Sequence, residues 1–137
     1  MKLRVLLADD HALLREALHM VLATAPDIEV VGEACNGNDV VRMVGESSAD
    51  VVCMDLAMPG LSGVEATRRV LAEYPKVKVI GLSAHRDQRR VAAMIEAGAH
   101  GYVVKSNAGT ELLQAIRAVC RDQTYVSAVL GIQDASA

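Results

Sequence analysis

The chain has no phenylalanine, no tryptophan and only three tyrosines among its 137 residues. Its core must therefore come from Val, Leu, Ile, Ala and Met, within a composition that is 52% hydrophobic. No apolar stretch approaches the ~20 residues needed to span a bilayer, which excludes a membrane-crossing helix. Basic residues are not in excess. The formal charge of −3 argues against direct grip on nucleic acid by these residues, though not against a separate DNA-binding partner domain. Cys35, Cys53 and Cys120 are odd in number and lack metal-type spacing, so they are expected as buried free thiols in a reducing cytoplasm. The opening Met1-Lys2-Leu3-Arg4-Val5-Leu6-Leu7 is too short an apolar run for a signal peptide, and Asp9-Asp10 interrupts it before any small-residue cleavage site. No GxGxxG, Walker A, DxDx[TV] or EF-hand pattern occurs, which takes support from nucleotide binding, haloacid-dehalogenase-type phosphatase chemistry and a calcium loop.

What is present is an alternation of short β-branched runs with longer segments of helical period, the mark of βαβ units. Strands are predicted over Leu3 to Ala8, Ile28 to Val31, Val51 to Met54, Val77 to Leu82 and Gly101 to Val104. The charge alternation of Ile28-Glu29-Val30-Val31 suits an edge strand, whereas Val51 to Met54 reads as a central strand covered on both faces. Between them, Leu14, Ala17, Leu18, Val21 and Leu22 form one helical stripe, and Val40, Val41 and Val44 face inward after the Asn36-Gly37-Asn38 turn. Ser62 with Glu65 forms a capping box for a helix lined by Val64, Thr67, Val70 and Leu71. A fourth helix is expected from Asp87 to Ala97, ended by Gly98 in a left-handed conformation. Thr110 is expected to cap the last helix, whose apolar face is Leu112, Leu113, Ile116, Val119 and Cys120. Five such units predict a flavodoxin-like doubly wound (βα)5 parallel sheet, for which the known strand order is 2-1-3-4-5. The domain is expected over residues 1–123. Residues 124–137, where periodicity fades, read as a C-terminal tail or the start of an interdomain linker.

The chemistry gathers at the carboxyl ends of these strands. Asp9-Asp10 end the first, Asp55 the third, Ser83 the fourth and Lys105 the fifth, so a parallel sheet brings them to one edge, where open α/β sheets bind ligands. Each residue alone has an ordinary explanation. Asp9-Asp10 could be helix caps, Asp55 the start of a turn before Pro59-Gly60, Lys105 a solvated surface group, Ser83 a strand end and Tyr102 core packing. Together they are harder to dismiss, since carboxylates ~4 Å apart repel by roughly 4 kcal/mol per pair at an effective dielectric near 20. Mg²⁺ suits the set, because it takes one or two carboxylates and keeps waters that a phosphate can displace. Lys105, facing three acids, then reads as a counter-ion or phosphate clamp. His11, His19, His85 and His100 share no ligand spacing and are expected in surface or packing roles, with His11 and His85 close enough to the pocket to tune it.

The arrangement resembles the receiver domain of bacterial two-component response regulators, from Lys2 to about Gln123. The residues that carry the likeness are Asp9-Asp10, Asp55 with Met58-Pro59-Gly60 and Gly63, Ser83-Ala84, Ala97-Gly98-Ala99, Gly101-Tyr102 and Lys105. Leu82-Ser83, Ala97 to Tyr102 and Tyr125-Val126-Ser127 are most similar to the NarL/FixJ (LuxR-type) subgroup. The resemblance implies that Asp55 accepts a phosphoryl group from a sensor histidine kinase. It implies Mg²⁺ on Asp10, Asp55 and the Ala57 carbonyl, with Asp9 acting mainly through a bound water. It further implies that Lys105 and Ser83 bind phosphoryl oxygens, and that Ser83 and Tyr102 switch the face made by helix 4, strand 5 and helix 5. Ser106 follows Lys105 where many receivers have proline with a cis bond, so a trans bond is predicted.

The implied protein is a cytoplasmic signalling domain whose own chemistry is self-phosphorylation and autodephosphorylation, rather than an enzyme. It would homodimerise on phosphorylation and reach DNA only through a helix-turn-helix domain absent from this chain. The alternative is a stand-alone or phosphorylation-independent receiver acting by protein contacts. A flavodoxin-like FMN protein is disfavoured, because Asp9-Asp10-His11 at the first turn would repel a phosphate.

Overall fold

The structure, a computed structural model, describes residues 2–84 and 88–127. Its elements run β1 (Leu3–Ala8), α1 (Ala12–Ala23), β2 (Ile28–Ala34), α2 (Gly37–Ser47), β3 (Val51–Asp55) and α3 (Gly63–Glu73), followed by β4 (Lys78–Ser83), α4 (Gln88–Glu96) and β5 (Gly101–Val104). A 3-10 turn (Lys105–Asn107), α5 (Ala108–Cys120) and β6 (Tyr125–Val126) complete the described chain. The strands form one sheet in the order β2-β1-β3-β4-β5-β6, with every adjacent pair parallel. The expected five-strand order is thus present. The segment after Gln123 adds a short sixth strand on the far edge, a feature its fading periodicity did not signal.

All five residues of β3 are buried, as its unalternating apolar sequence predicts for a central strand covered on both faces. β2 lies at the sheet edge and is only partly buried. Two apolar layers sandwich the sheet. One gathers Leu6, Met54, Val79 and Tyr102 with Val40, Val70 and Met94 from α2, α3 and α4. The other gathers Val5, Leu7, Cys53, Ile80 and Val103 with Leu18, Leu22, Leu112 and Ile116 from α1 and α5. Aliphatic side chains fill both layers, and Tyr102 is the largest fully buried residue.

Helix ends mostly follow the sequence logic. The Ser62 side chain accepts the Glu65 N–H, and Asn36 accepts that of Asp39. Gly98 has φ +107°, a conformation that favours glycine, and a Cβ there would also push the Leu71 Cδ1 methyl, 2.7 Å away, aside.

Several expectations need correction. Thr110 does not cap α5; Asn107 holds that position, and the Thr110 hydroxyl donates back to the Asn107 carbonyl at 3.1 Å. Ala17 is exposed, and α1 buries Leu18 and Leu22 while leaving Leu13 and Met20 in solvent. Cys35 is exposed rather than buried, Cys53 is buried and Cys120 is half-buried, all three as free thiols. Asp87, expected to begin the fourth helix, and the tail from Ile132 lie outside the described residues.

Candidate functional site

The parallel sheet brings the predicted residues to one edge. Asp9 and Asp10 follow β1, Asp55 ends β3, Ser83 ends β4 and Lys105 follows β5. Asp9 is 1% exposed and Asp55 fully buried, whereas Asp10 keeps nearly a third of its side chain in solvent. Ligand atoms of Asp9, Asp10, His11 and Asp55 all lie within 4.8 Å of one another. Helix capping does not account for the acid pair. His11, not either aspartate, occupies the N-cap of α1 and makes no side-chain cap bond. Asp9 Oδ1 instead accepts the His11 N–H at 2.6 Å, folding the acids into a turn ahead of the helix.

Lys105 Nζ stands 2.9 Å from Asp55 Oδ2 and 3.5 Å from Asp9 Oδ2, with the lysine side chain 12% exposed. Those distances make ion pairs, yet neither buried oxygen receives a well-directed hydrogen bond. The lysine balances them chiefly as a charge, one ammonium shared between two carboxylate oxygens. Asp55 Oδ1 accepts the Ala57 N–H at 3.0 Å, which fixes the carboxylate's rotation. Burial pushes the Asp55 carboxyl above its ordinary range, against the lowering pull of the Ala57 N–H and Lys105; the neighbouring Asp9 charge pushes the same way as burial.

Ser83 is 2% exposed and pairs in register with Val104, one residue before Lys105. Its hydroxyl therefore belongs to the same edge as the lysine. Tyr102 is fully buried, with its ring against Gly81 and in the layer that holds Met94 of α4.

His11 is the residue whose role the sequence understated. Its Nδ1 lies 3.2 Å from Asp9 Oδ1, 3.3 Å from Asp10 Oδ1, 3.8 Å from Asp55 Oδ2 and 3.3 Å from Lys105 Nζ, in the midst of the cluster. Its place directly after the acid pair at a strand end was the signal available. The remaining described histidines serve elsewhere. His19 pairs with Glu33, and His100 Nδ1 accepts the Val79 N–H; His85 lies outside the described residues.

The sequence that builds this edge matches a protein family. The model described as response regulator receiver domain aligns with residues 5–117. The chain belongs to the response regulator receiver family. Among curated relatives, this receiver is 43% identical to the transcriptional regulatory protein LiaR of Bacillus subtilis (strain 168) over 121 residues, covering 88% of this chain and 57% of LiaR. It is 40% identical to the response regulator UvrY of Escherichia coli (strain K12) over 131 residues, covering 96% of this chain and 60% of UvrY. Of solved structures, a LuxR-family two-component response regulator from Aurantimonas sp. SI85-9A1 matches with a TM-score of 0.90 and 33% identity, covering 96% of this receiver and 94% of that chain. These relatives bear out the NarL/LuxR-type likeness. The receiver spans little more than half the length of the curated relatives it matches, 53% to 60%.

The donor set fits a hard divalent cation. Two buried carboxylate oxygens, Asp9 Oδ2 and Asp55 Oδ2, face the Lys105 ammonium and no backbone donor, and a third carboxylate stands beside them. Oxygen-rich, anionic and partly open to water, this is the acidic pocket that receivers use for Mg²⁺.

Proposed function

We propose that this receiver accepts a phosphoryl group on Asp55 from the phosphohistidine of a sensor histidine kinase. The observation that carries the reading is the fully buried Asp55 carboxylate, held at Oδ1 by Ala57 and faced at Oδ2 by the Lys105 ammonium, at the bottom of an acidic pocket. An Asp55 oxygen forms the new bond to phosphorus as the P–N bond breaks, and the bonding pair returns to the partner's imidazole. No elaborate base is needed, because phosphoryl transfer depends on alignment and on neutralising the equatorial oxygens. Lys105 supplies one positive charge and the Ser83 hydroxyl one hydrogen bond. Asp10, Asp55 and the Ala57 carbonyl would hold Mg²⁺, with Asp9 acting through a bound water. The cation supplies charge neutralisation across the carboxylate and the incoming phosphoryl group.

A shallow groove beside the pocket supports docking of the partner. It is lined by Leu13, Leu14, Ala17 and Ala84 next to His11 and Lys105, and Leu13 is 81% exposed. The output is read from the face made by α4, β5 and α5, where Tyr102 sits between β4 and α4. Ser83 moving onto a phosphoryl oxygen shifts the population of that face only as far as the phosphoryl group prefers one arrangement. Tyr102, buried on β5 in that face, repacks as Ser83 moves. Homodimerisation on phosphorylation and control of a helix-turn-helix DNA-binding domain complete the reading. The receiver turns over no separate substrate and works in the cytoplasm; no helix among the described residues is long and apolar enough to cross a membrane.

The test is intact mass after incubation with acetyl phosphate, with and without Mg²⁺, beside Asp55→Asn. A Mg²⁺-dependent gain of one phosphoryl group, absent in the variant, is the expected result. No gain at high donor concentration would turn the reading to a phosphorylation-independent interaction domain.

A further inference from the structure

Lys105 has to hold its ammonium near two buried carboxylates from a short turn that contains no proline. Ser106 follows it, and no peptide bond among the described residues is cis. The segments on either side of the lysine are tied down by other means, the upstream one through its main chain and the downstream one through a side chain. Upstream, the Val104 N–H donates to Ser127 Oγ at 3.1 Å. Downstream, Asn107 Nδ2 donates to Glu111 Oε2 at 3.0 Å. Both ties end on the same carboxylate, because the Ser127 hydroxyl donates to Glu111 Oε1 at 2.8 Å. The Tyr125 hydroxyl donates to that oxygen as well, at 3.0 Å. Ser127 is fully buried, and its own N–H donates to the Tyr102 carbonyl at 3.0 Å. Among the described residues no lysine, arginine or histidine pairs with Glu111, so three neutral donors satisfy it. Burial and this carboxylate push the Tyr125 phenol up to about 12, which keeps it a donor.

We propose that Glu111 is a positioning residue for the phosphoryl-transfer lysine. Through Tyr125 and Ser127 it ties the Val104 main chain before Lys105, and through the Asn107 side chain it ties the turn after it, and so sets the reach of the ammonium to Asp55. The proposal rests on the reading of Asp55 as phosphoacceptor. It also makes β6 and Ser127 part of the reactive edge, beyond the boundary expected at Gln123. Glu111 is suited to this because a carboxylate offers two acceptor oxygens. An amide of the same shape would turn an NH₂ toward either Asn107 or the Tyr125–Ser127 pair, and one tie would be lost.

The experiment compares the wild-type chain, Glu111→Gln and Ser127→Ala by three readouts. These are the acetyl phosphate labelling rate at saturating Mg²⁺, Mg²⁺ affinity by calorimetry, and the Lys105 side-chain ammonium resonance in ¹⁵N-labelled protein. The acids that would hold Mg²⁺ follow β1 and end β3, away from these ties, so Mg²⁺ affinity should stay within about twofold while labelling slows about tenfold, equal to ~1.4 kcal/mol of transition-state stabilisation. The ammonium resonance, sharp in the wild type, should broaden in both variants. Ser127→Ala keeps the Glu111 carboxylate with its Asn107 and Tyr125 donors and removes the Val104–Ser127–Glu111 link, so it guards against a general folding defect in Glu111→Gln. Folded variants that label at the wild-type rate would overturn the proposal, as would a parallel loss of Mg²⁺ affinity. If the wild type itself takes no phosphoryl group, the phosphoacceptor reading falls. The positioning role is then judged on the resonance alone, and an unchanged signal in Glu111→Gln refutes it.

Discussion

Asp55→Asn should make the metal-free protein more stable at neutral pH. Asp55 Oδ2 lies 2.9 Å from Lys105 Nζ, an attraction of about 6 kcal/mol at an effective dielectric near 20. Against it, the Asp9 carboxylate within 4.8 Å repels by about 3.5 kcal/mol or more, and the partly exposed Asp10 adds a smaller, screened amount. About 2 kcal/mol of attraction is then left to set against the burial of a fully desolvated carboxylate, which costs several kcal/mol. The raised pKa of Asp55, with burial as its foremost cause, is the same balance seen through protonation. Removing the charge should therefore stabilise the fold by about 1–3 kcal/mol, and each kcal/mol corresponds to roughly 3–5 °C in a domain of this size. Circular dichroism melts in EDTA at several pH values measure it. A group whose folded pKa is raised adds stability below its unfolded pKa and loses it as pH climbs through the folded value. The gap between variant and wild type should accordingly be small near pH 4 and widen toward neutrality. Saturating Mg²⁺, by binding only the folded wild-type site well, should narrow it again. A variant that melts lower than the wild type in EDTA at pH 7, or a gap insensitive to pH, would refute the reasoning.

Three further outcomes are expected. Ser62→Ala removes the bond to the Glu65 N–H at the start of α3 and should cost about 1 kcal/mol in urea unfolding without changing Mg²⁺ affinity. Gly98→Ala places a Cβ 2.7 Å from Leu71 Cδ1 at φ +107°, and should destabilise by at least ~1 kcal/mol in the same assay. In thiol titration with an aromatic disulfide, exposed Cys35 should react first and Cys35→Ser should abolish that phase. Cys53, buried and pushed up to about 12, should stay silent until the protein unfolds.

What could be read from the sequence was governed by local pattern. The unbroken Val51-Val52-Cys53-Met54 run identified a central strand, and parallel geometry then obliged Asp9, Asp10, Asp55, Ser83 and Lys105 to share an edge. What escaped depends on contacts between distant segments. Tyr125-Val126 is too short to show periodicity, and it becomes a strand only because β5 offers a free edge and Glu111 accepts the hydroxyls of Tyr125 and Ser127. Thr110 looked like a cap because threonine favours that position. The helix instead begins three residues earlier, with Asn107 at the cap, where the 3-10 turn after Lys105 already runs into it. His11 drew a bland reading because no partner at ligand spacing exists along the chain, whereas its neighbours in space come from β1, β3 and the turn after β5.

The poverty of aromatic rings has a practical side. With no tryptophan to dominate the ultraviolet signal, all emission comes from Tyr74, Tyr102 and Tyr125. These rings sample different surroundings: Tyr74 lies against Gly45, Tyr102 is sealed between β4 and α4, and Tyr125 leans on the Glu111 carboxylate. A carboxylate that takes a phenolic proton in the excited state quenches tyrosine. Tyr125 should therefore be dark while its bond holds and brighten when β6 loosens from α5, so the molecule carries an unlabelled optical gauge of its own far edge.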